Sequence, residues 1–382
     1  MNFKKITKKY KSLNCPEGYY DPCSLPYDRD KYFVICTERS TGKTTNILLY
    51  GMCANWISEN HDQIIYIRQF EPMIERRNLR TLFSTIKEFG YIEKVTDGHY
   101  TDIVYQSHSW YYCNYSEEGE LLDRSTDPFM ICLSCDQSEL YKSTLNTPHG
   151  NIIIFDEFCS KRTRQNEFVD FVDICKTVIR GRMEPIIFML GNTIDRNCQY
   201  FYEMELNDIA NSLPLGAHTE TITHDGTCIY VDFFSPGMTP QKTHHNKLFF
   251  GFKNKKLGAI TGKDWSLTVM PHPPVDDTRI TITRQFYLLY EDRLLNLELC
   301  RSENDGTHVI AHFATKGPYK DSIVFTLGLT QDWRYRYKFG HTKADKLIWT
   351  LYERKKFYYS SNAVGAIVEK FYQSAKEFRR LY

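Results

Sequence analysis

The stretch Thr37-Glu38-Arg39-Ser40-Thr41-Gly42-Lys43-Thr44 decides the fold of this chain. It follows the apolar run 32–36 and directly precedes a segment with helical character. A strand, a loop containing Gly-Lys-Thr and a helix form the context of a Walker A motif, in which backbone N–H groups and the helix N-terminus hold phosphates. Lys43 then reaches the β- and γ-phosphate oxygens, and the Thr44 hydroxyl ligates Mg²⁺. Thr37 stands where the usual pattern has its first glycine, so this loop must turn without that residue's conformational freedom.

A second motif strengthens the first. The run Asn151-Ile152-Ile153-Ile154-Phe155-Asp156-Glu157 is too uniformly apolar to alternate, as expected for a parallel strand that is buried on both faces, and it ends in two carboxylates. This is the pattern of a Walker B motif, in which Asp156 holds the Mg²⁺ shell and Glu157 polarises the attacking water. The alternative is that Asp156 caps the following segment and Glu157 is merely solvated.

A third polar position follows a further predicted strand, over 185–190. Gly191-Asn192 ends that run, and NTPases of this architecture place a polar sensor of the γ-phosphate there; an ordinary turn residue is the alternative. The alternation of strands and helices predicts an α/β fold with a mostly parallel sheet and a nucleotide at the carboxyl ends of its strands. The predicted nucleotide-binding residues are Thr37, Glu38, Arg39, Ser40, Thr41, Gly42, Lys43, Thr44, Thr45 and Asn192.

Length and composition predict how the chain is organised. With 382 residues, 42% of them hydrophobic, it is long enough for two domains with a connector. We expect a P-loop ATPase domain over 1–210, a lid or linker segment over 211–262 and a small α+β domain over 263–382. No apolar run is long enough to span a membrane, and the N-terminus is polar, so we expect a soluble cytoplasmic protein that does not contact membranes.

The twelve cysteines do not form a disulfide framework, because several lie inside apolar runs where Cys acts as a small hydrophobic residue. Cys132 and Cys135 form a CxxC pair without a second Cys or His pair at zinc-like spacing, which disfavours a metal site.

Two basic segments are candidates for DNA binding, because the net charge of +1 requires any phosphate contacts to come from local patches. The first is Lys161-Arg162-Thr163-Arg164, just beyond Glu157. The second, over 241–256, interleaves lysines with aromatic residues and includes Lys253, Lys255 and Lys256. A solvated turn and a solvated connector helix are the respective alternatives.

These motifs together suggest a family. A P-loop with an arginine in its third position, the Ile-Ile-Ile-Phe-Asp-Glu Walker B and the following Leu-Gly-Asn precede a small β-rich domain. In this order they resemble the DNA-packaging ATPases of small protein-primed tailed phages, compact relatives of terminase large subunits. The resemblance implies an ASCE-type P-loop domain followed by a ribonuclease H-like domain without nuclease activity. It also implies a homo-oligomeric ring, commonly a pentamer, at the portal vertex of a procapsid in the host cytoplasm, which uses ATP and Mg²⁺ to drive double-stranded DNA inward. It leaves open whether a packaging RNA joins the portal protein as a partner.

The resemblance also implies roles for individual arginines. Arg39 matches the basic residue of the terminase-type P-loop, where it contacts phosphates within the same subunit. Arg180 and Arg182 lie where the family places the arginine finger that reaches a neighbouring subunit, and the sequence does not choose between them. For Arg180 or Arg182 alone, the alternative is a cation at a helix C-terminus.

The C-terminal region differs from an active nuclease. Its longest predicted strand, over 281–290, has no carboxylate before Glu291-Asp292 at the turn, whereas two-metal cleavage needs about three converging carboxylates. We therefore expect no nuclease activity. A helicase-like or AAA+ remodelling ATPase and a P-loop binding module without turnover remain the competing hypotheses. The Asp156-Glu157 pair argues against the binding module, and the lack of evident helicase motifs disfavours the remodeller.

Overall fold

The computed structural model describes residues 1–28, 31–37, 41–159, 166–181, 185–192, 198–235, 270–273, 280–290, 293–303, 306–319, 322–327, 335–337 and 343–379. The described residues up to 235 form one compact unit, and those from 270 onward form another. Within these ranges no helix is long and apolar enough to cross a membrane.

The first unit is built on a sheet of ten described strands. They are β1 (Lys31–Thr37), β2 (Gln63–Arg68), β3 (Asp102–Gln106), β4 (Ser109–Tyr115), β5 (Leu121–Arg124), β6 (Met130–Ser134), β7 (Gly150–Asp156), β8 (Ile186–Asn192), β9 (His218–Ile222) and β10 (Cys228–Asp232). The order is β3-β4-β6-β2-β7-β8-β1-β10-β9, with β5 paired to β4. The six central strands, in the order β6-β2-β7-β8-β1-β10, are parallel to one another. Antiparallel strands flank them, with β4 next to β6 and β9 next to β10.

Helices cover both faces of this sheet. They are α1 (Phe3–Lys11), α2 (Lys43–Ile57), α3 (Arg76–Leu79), α4 (Ser84–Glu88), α5 (Tyr91–Val95), α6 (Ser138–Thr144), α7 (Glu167–Ile179), α8 (Gln199–Glu203) and α9 (Asn207–Ser212). The sheet has a hydrophobic core on each face. One core contains buried residues of α1, α2, α4 and α5, and the other contains buried residues of α7, α8 and α9. The central strands therefore need apolar side chains on both faces, which explains their uniform Ile-rich runs.

The sheet continues past the boundary at residue 210 that the sequence suggested. Strand β10 pairs in parallel with β1, and β9 pairs antiparallel with β10, so both belong to the first unit. The expected linker over 211–262 is thus corrected at its start, because residues 218–232 complete the sheet that carries the P-loop. Residues 236–262 lie outside the described part of the chain.

The second unit has a separate sheet in the order β15-β14-β11-β12-β13-β16. Its strands are β11 (Thr281–Tyr290), β12 (Arg293–Ser302), β13 (Gly306–Phe313), β14 (Val324–Thr326), β15 (Tyr335–Tyr337) and β16 (Phe357–Tyr359). The first three form an antiparallel meander, whereas β14 is parallel to β11, β15 to β14 and β16 to β13. Helices α10 (Lys343–Glu353) and α11 (Asn362–Arg379) pack their apolar sides into the core of this unit.

Candidate active site

The phosphate loop lies between the end of β1 and the start of α2. Gly42, the residue before α2, has a φ of +73°, and a Cβ there would lie 2.9 Å from the Tyr19 ring, so both backbone and space favour glycine. The Thr37 and Thr41 hydroxyls lie 2.7 Å apart in a buried hydrogen bond. The threonine that stands in place of the usual first glycine thus supplies a hydroxyl that ties the two ends of the loop together.

A segment near the N-terminus supports this loop. The Tyr20 N–H donates to the Thr41 carbonyl at 2.9 Å, and the Asn46 amide donates to the Tyr20 carbonyl at 2.7 Å. The Tyr20 hydroxyl donates to the Asp232 carboxylate at 3.1 Å. Burial raises the pKa of Asp232, while the hydrogen bond from Tyr20 acts in the opposite direction. Tyr19 and Tyr20 therefore contact the loop directly, and Asp232 at the end of β10 fixes the Tyr20 side chain.

Lys43 and Asn192 meet as the sequence predicts for a phosphate-binding lysine and a polar sensor. Thr37 pairs with Asn192 in the register of β1 and β8, and the Lys43 ammonium donates to Asn192 Oδ1 at 2.6 Å. Burial lowers the pKa of Lys43, and the nearby Asp156 and Glu157 partly oppose that effect. Lys43 is therefore a desolvated cation at the carboxyl ends of the strands, where a nucleotide phosphate would replace its amide partner.

Thr44 and Asp156 form the pair that the Mg²⁺ assignment requires. The Thr44 hydroxyl donates to Asp156 Oδ1 at 3.1 Å, and Asp156 is only 5% exposed. Both are oxygen donors of the kind that Mg²⁺ accepts together with phosphate oxygens and water. Within the described ranges, no group of three or more His, Cys, Asp or Glu side chains is placed to hold a metal ion. Thr44 and Asp156 are the side chains at this point of the site that could hold such an ion.

Two residues of β2 complete this arrangement, and the sequence analysis assigned neither of them a role. The Tyr66 hydroxyl donates to Asp156 Oδ2 at 2.8 Å and accepts from the Arg68 guanidinium at 3.2 Å. Arg68 also lies 3.5 Å from Asp156 Oδ2. Both oxygens of Asp156 therefore have partners, one on the P-loop helix and one on the neighbouring strand.

Arg68 also holds the second Walker B carboxylate. It donates to Glu157 Oε2 at 2.5 Å, and the Glu157 side chain is 53% exposed, whereas that of Arg68 is 15% exposed. Burial by itself lowers the pKa of Arg68, but Tyr66, Asp156 and Glu157 outweigh it, so the pKa lies above its ordinary value. Glu157 has a φ of +59°, a left-handed conformation that is uncommon outside glycine and that turns the chain sharply after β7.

The residue after Arg68 forms a further buried link. The Gln69 amide donates to the Phe158 carbonyl at 3.2 Å and to Glu167 Oε1 at 2.7 Å. The Tyr200 hydroxyl donates to the same Glu167 oxygen at 2.8 Å, and Glu167 has no exposed surface. The end of β2 therefore contacts both the segment after the Walker B motif and the start of α7.

Arg180 lies at the opposite edge of the sheet from Lys43, because α7 runs back from the carboxyl end of β7 to the start of β8. It follows α7 with a φ of +44°, and its guanidinium donates to the carbonyls of Thr177 at 3.1 Å and Leu145 at 2.6 Å. With Lys142 and Lys176 it lines an open cleft of about 700 Å³. The structure does not bring Arg180 to the phosphate loop of its own chain.

The remaining predicted site residues divide into two groups. Thr45 lies in the first turn of α2, and Cys132 and Cys135 are both buried. The rest lie outside the residues that the structure describes: Glu38, Arg39, Ser40, Lys161, Arg162, Arg164, Arg182, Lys253, Lys255 and Lys256, together with Glu291 and Asp292.

Comparison with known proteins gives matches only by structure, since no protein-family model and no curated protein matches this chain. The Phi-28 gp11 DNA packaging motor superposes with a TM-score of 0.58 at 16% identity, covering 94% of this chain and 99% of that one. The N-terminal domain of the DNA packaging ATPase from bacteriophage phi29 gives a TM-score of 0.42 at 21% identity, with 57% of this chain and 97% of that one covered. The large terminase of a thermophilic bacteriophage gives 0.35 at 12% identity, with 93% and 87% covered. On the strength of the first of these similarities, the chain has the fold of a phage DNA packaging motor, which confirms the resemblance that its motifs predict.

Proposed function

We propose that this protein is an ATPase that drives double-stranded viral DNA into a preformed procapsid. The observation that carries the proposal is the convergence of Lys43, Thr44, Asp156, Glu157 and Asn192 at the carboxyl ends of adjacent parallel strands. This set contains a phosphate-binding cation, two Mg²⁺ ligands, a carboxylate for the attacking water and an amide that senses the γ-phosphate. The fold shared with a DNA packaging motor supports packaging as the process that hydrolysis drives.

Each side chain has a distinct task during hydrolysis. Lys43 exchanges the Asn192 oxygen for the β- and γ-phosphates, which leaves the amide free to bond the γ-phosphate. Thr44 and Asp156 would hold the Mg²⁺ that accompanies the nucleotide, and that ion would supply positive charge against the negative charge that develops in the transition state. Glu157 exchanges its ion pair with Arg68 for the attacking water, which it orients and polarises. Arg68 therefore pairs with one oxygen of the catalytic carboxylate until a nucleotide is bound.

The proposal includes a ring of identical subunits, by analogy commonly a pentamer, at the portal vertex of the procapsid in the host cytoplasm. Arg180 or Arg182 then serves as the finger of the neighbouring subunit, since Arg180 lies at the sheet edge away from its own phosphate loop. A finger supplied in trans contributes several kcal/mol of transition-state stabilisation. Arg39 is assigned to the phosphates of its own subunit, and Lys161, Arg162 and Arg164 to the DNA backbone. The portal protein is the expected docking partner, with a packaging RNA as an open alternative.

The second unit is proposed to be a ribonuclease H-like domain that has lost its chemistry and acts in docking or nucleic-acid binding. An antiparallel meander with a further strand parallel to its first strand supports this assignment. Strand β11 carries no carboxylate along its length. Neither Mg²⁺ nor Mn²⁺ should therefore support cleavage of plasmid DNA, and cleavage that disappears on mutating Asp292 would contradict this part of the proposal.

The decisive experiment measures ATP turnover by the purified protein with and without procapsids and double-stranded DNA. Turnover stimulated only when both are present supports a packaging motor, and the Glu157→Gln protein is the matched control that keeps the fold and removes the base. Stimulation by single-stranded DNA alone, or by an unrelated protein substrate, would favour the helicase-like or AAA+ alternative.

A further inference from the structure

Helix α1 carries an unusual concentration of charge. It has five lysines in nine residues and no carboxylate. Since the whole chain has a formal charge of +1, the other 373 residues together carry −4. The helix is therefore a local cationic patch on an otherwise slightly acidic protein.

The structure holds this helix in a fixed orientation. Ile6 and Tyr10 are buried in the core against α2, and the Tyr10 ring lies 5.8 Å from that of Tyr50. Lys9 is paired with Asp97, which also accepts a hydrogen bond from the Trp56 indole at 2.9 Å. Lys4, Lys5, Lys8 and Lys11 are exposed, and their spacing places them together on the side of the helix opposite the buried residues. These four residues are called the lysine face below.

The stability of α1 does not explain the lysine face. Cations are favourable near a helix C-terminus, which accounts for Lys8 and Lys11, but unfavourable in the first turn. Lys4 and Lys5 lie in that first turn, where α1 has no acidic residue, and lysines three or four positions apart repel one another. The arrangement therefore disfavours the isolated helix, and a polyanion bound at the lysine face would relieve the repulsion among its ammonium groups.

We propose that the lysine face binds the phosphate backbone of a nucleic acid. From Lys4 to Lys11 the helix rises by about 10 Å, enough for flexible ammonium groups to reach several successive phosphates of a duplex. Lysine is a compact point charge that recognises phosphate without a fixed geometry, so the contact is independent of base sequence. The lysine face includes none of the residues assigned to the nucleotide site, and it extends the proposed function to a further nucleic-acid contact.

The test compares nucleic-acid binding by two matched variants of the full chain. The first replaces the lysine face with Lys4→Gln, Lys5→Gln, Lys8→Gln and Lys11→Gln. The second replaces four other exposed lysines of the first unit, at positions 87, 94, 142 and 176, with glutamine. Fluorescence anisotropy with a DNA duplex and an RNA duplex of about 20 base pairs gives the dependence of log Kd on log salt, whose slope reports roughly 0.9 per neutralised phosphate.

Relative to the parent protein, the first variant should show a salt slope smaller in magnitude by about two to four on at least one duplex. The slope of the second variant should differ from that of the parent by less than about one. A loss on both duplexes indicates recognition of the shared backbone, and a loss on one identifies DNA or RNA as the partner. Equal slopes for the two variants on both duplexes would overturn the proposal and leave an acidic protein surface as the partner to seek. The double variant Lys4→Gln, Lys5→Gln, which relieves repulsion at the positive end of the helix, keeps the test valid if the fourfold change affects folding. The test measures nucleic-acid binding and requires no ATP turnover. Its result is therefore independent of whether the protein hydrolyses ATP.

Discussion

The hydroxyl of Tyr66 offers a sharp test of the site, because one atom can be removed there without changing the packing. In the structure it donates to Asp156 Oδ2 at 2.8 Å and accepts from Arg68 at 3.2 Å. Tyr66→Phe keeps the buried ring, so no cavity forms, but it leaves a buried carboxylate oxygen without its hydrogen bond. A hydrogen bond to a charged group contributes about 1.5–3 kcal/mol, which sets the expected loss in the free energy of unfolding.

The same change should weaken Mg²⁺ binding. Partners that orient a metal-ligating carboxylate typically contribute 10- to 100-fold in metal affinity, so the Mg²⁺ concentration for half-maximal ATP turnover should rise by at least about tenfold. Tyr112→Phe is the matched control, because the Tyr112 hydroxyl is also buried and has no hydrogen-bond partner among the described residues. Urea unfolding and Mg²⁺ titrations of turnover measure the two effects. If Tyr66→Phe and Tyr112→Phe gave equal stability and equal Mg²⁺ dependence, the assignment of Tyr66 as a positioning residue would be refuted.

Three further predictions follow from the site and its surroundings. Lys43→Ala should reduce ATP turnover by at least about 100-fold with loss of nucleotide binding, whereas Glu157→Gln should retain binding of a fluorescent ATP analogue; full turnover by the latter would remove Glu157 from catalysis. If Arg180 or Arg182 acts in trans, mixing its alanine variant with Lys43→Ala protein should restore part of the turnover, and verified mixed rings without rescue would contradict a trans finger. Because burial raises the pKa of Asp232, the native state binds protons more tightly than the unfolded chain, and stability should fall as pH rises above the ordinary Asp range. Asp232→Asn should remove that loss, so its melting temperature relative to the parent should increase from about pH 4 to pH 7, and a constant difference would count against it.

The sequence predicts which polar side chains meet wherever those residues lie next to the end of a strand. Lys43, Thr44, Asp156 and Asn192 each follow or end a run that reads clearly as a buried parallel strand, and the structure brings all four together. Parallel strands place their carboxyl ends at one edge of the sheet, so convergence follows from the runs alone.

The parts that sequence analysis missed depend on which strands are neighbours. The pairs Tyr66–Asp156 and Arg68–Glu157 exist because β2 lies beside β7 with Ile67 level with Phe155, and no local pattern encodes that adjacency. A buried tyrosine and an arginine two positions apart at the end of an apolar strand were the available signal.

The domain boundary was misplaced for a related reason. Strand β9 alternates exposed and half-buried residues, which is typical of an edge strand with one solvated face, and it lacks the uniform apolar run of the central strands. The change in composition near residue 210 therefore marks the passage from the central strands of the sheet to its margin, and the first unit ends later in the chain.

The charged side chains of the candidate site balance one another. Lys43 and Arg68 supply two positive charges, and Asp156 and Glu157 supply two negative ones, so these four groups cancel in the structure. A magnesium nucleotide brings net negative charge into this balanced, partly buried environment, and uncompensated charge there is costly. A cation contributed by another subunit would restore neutrality, and thermodynamic linkage then requires that nucleotide binding and subunit association strengthen each other to the same degree. We therefore expect the oligomeric state of the protein to depend on which nucleotide is bound. Association between subunits should weaken when the γ-phosphate is released.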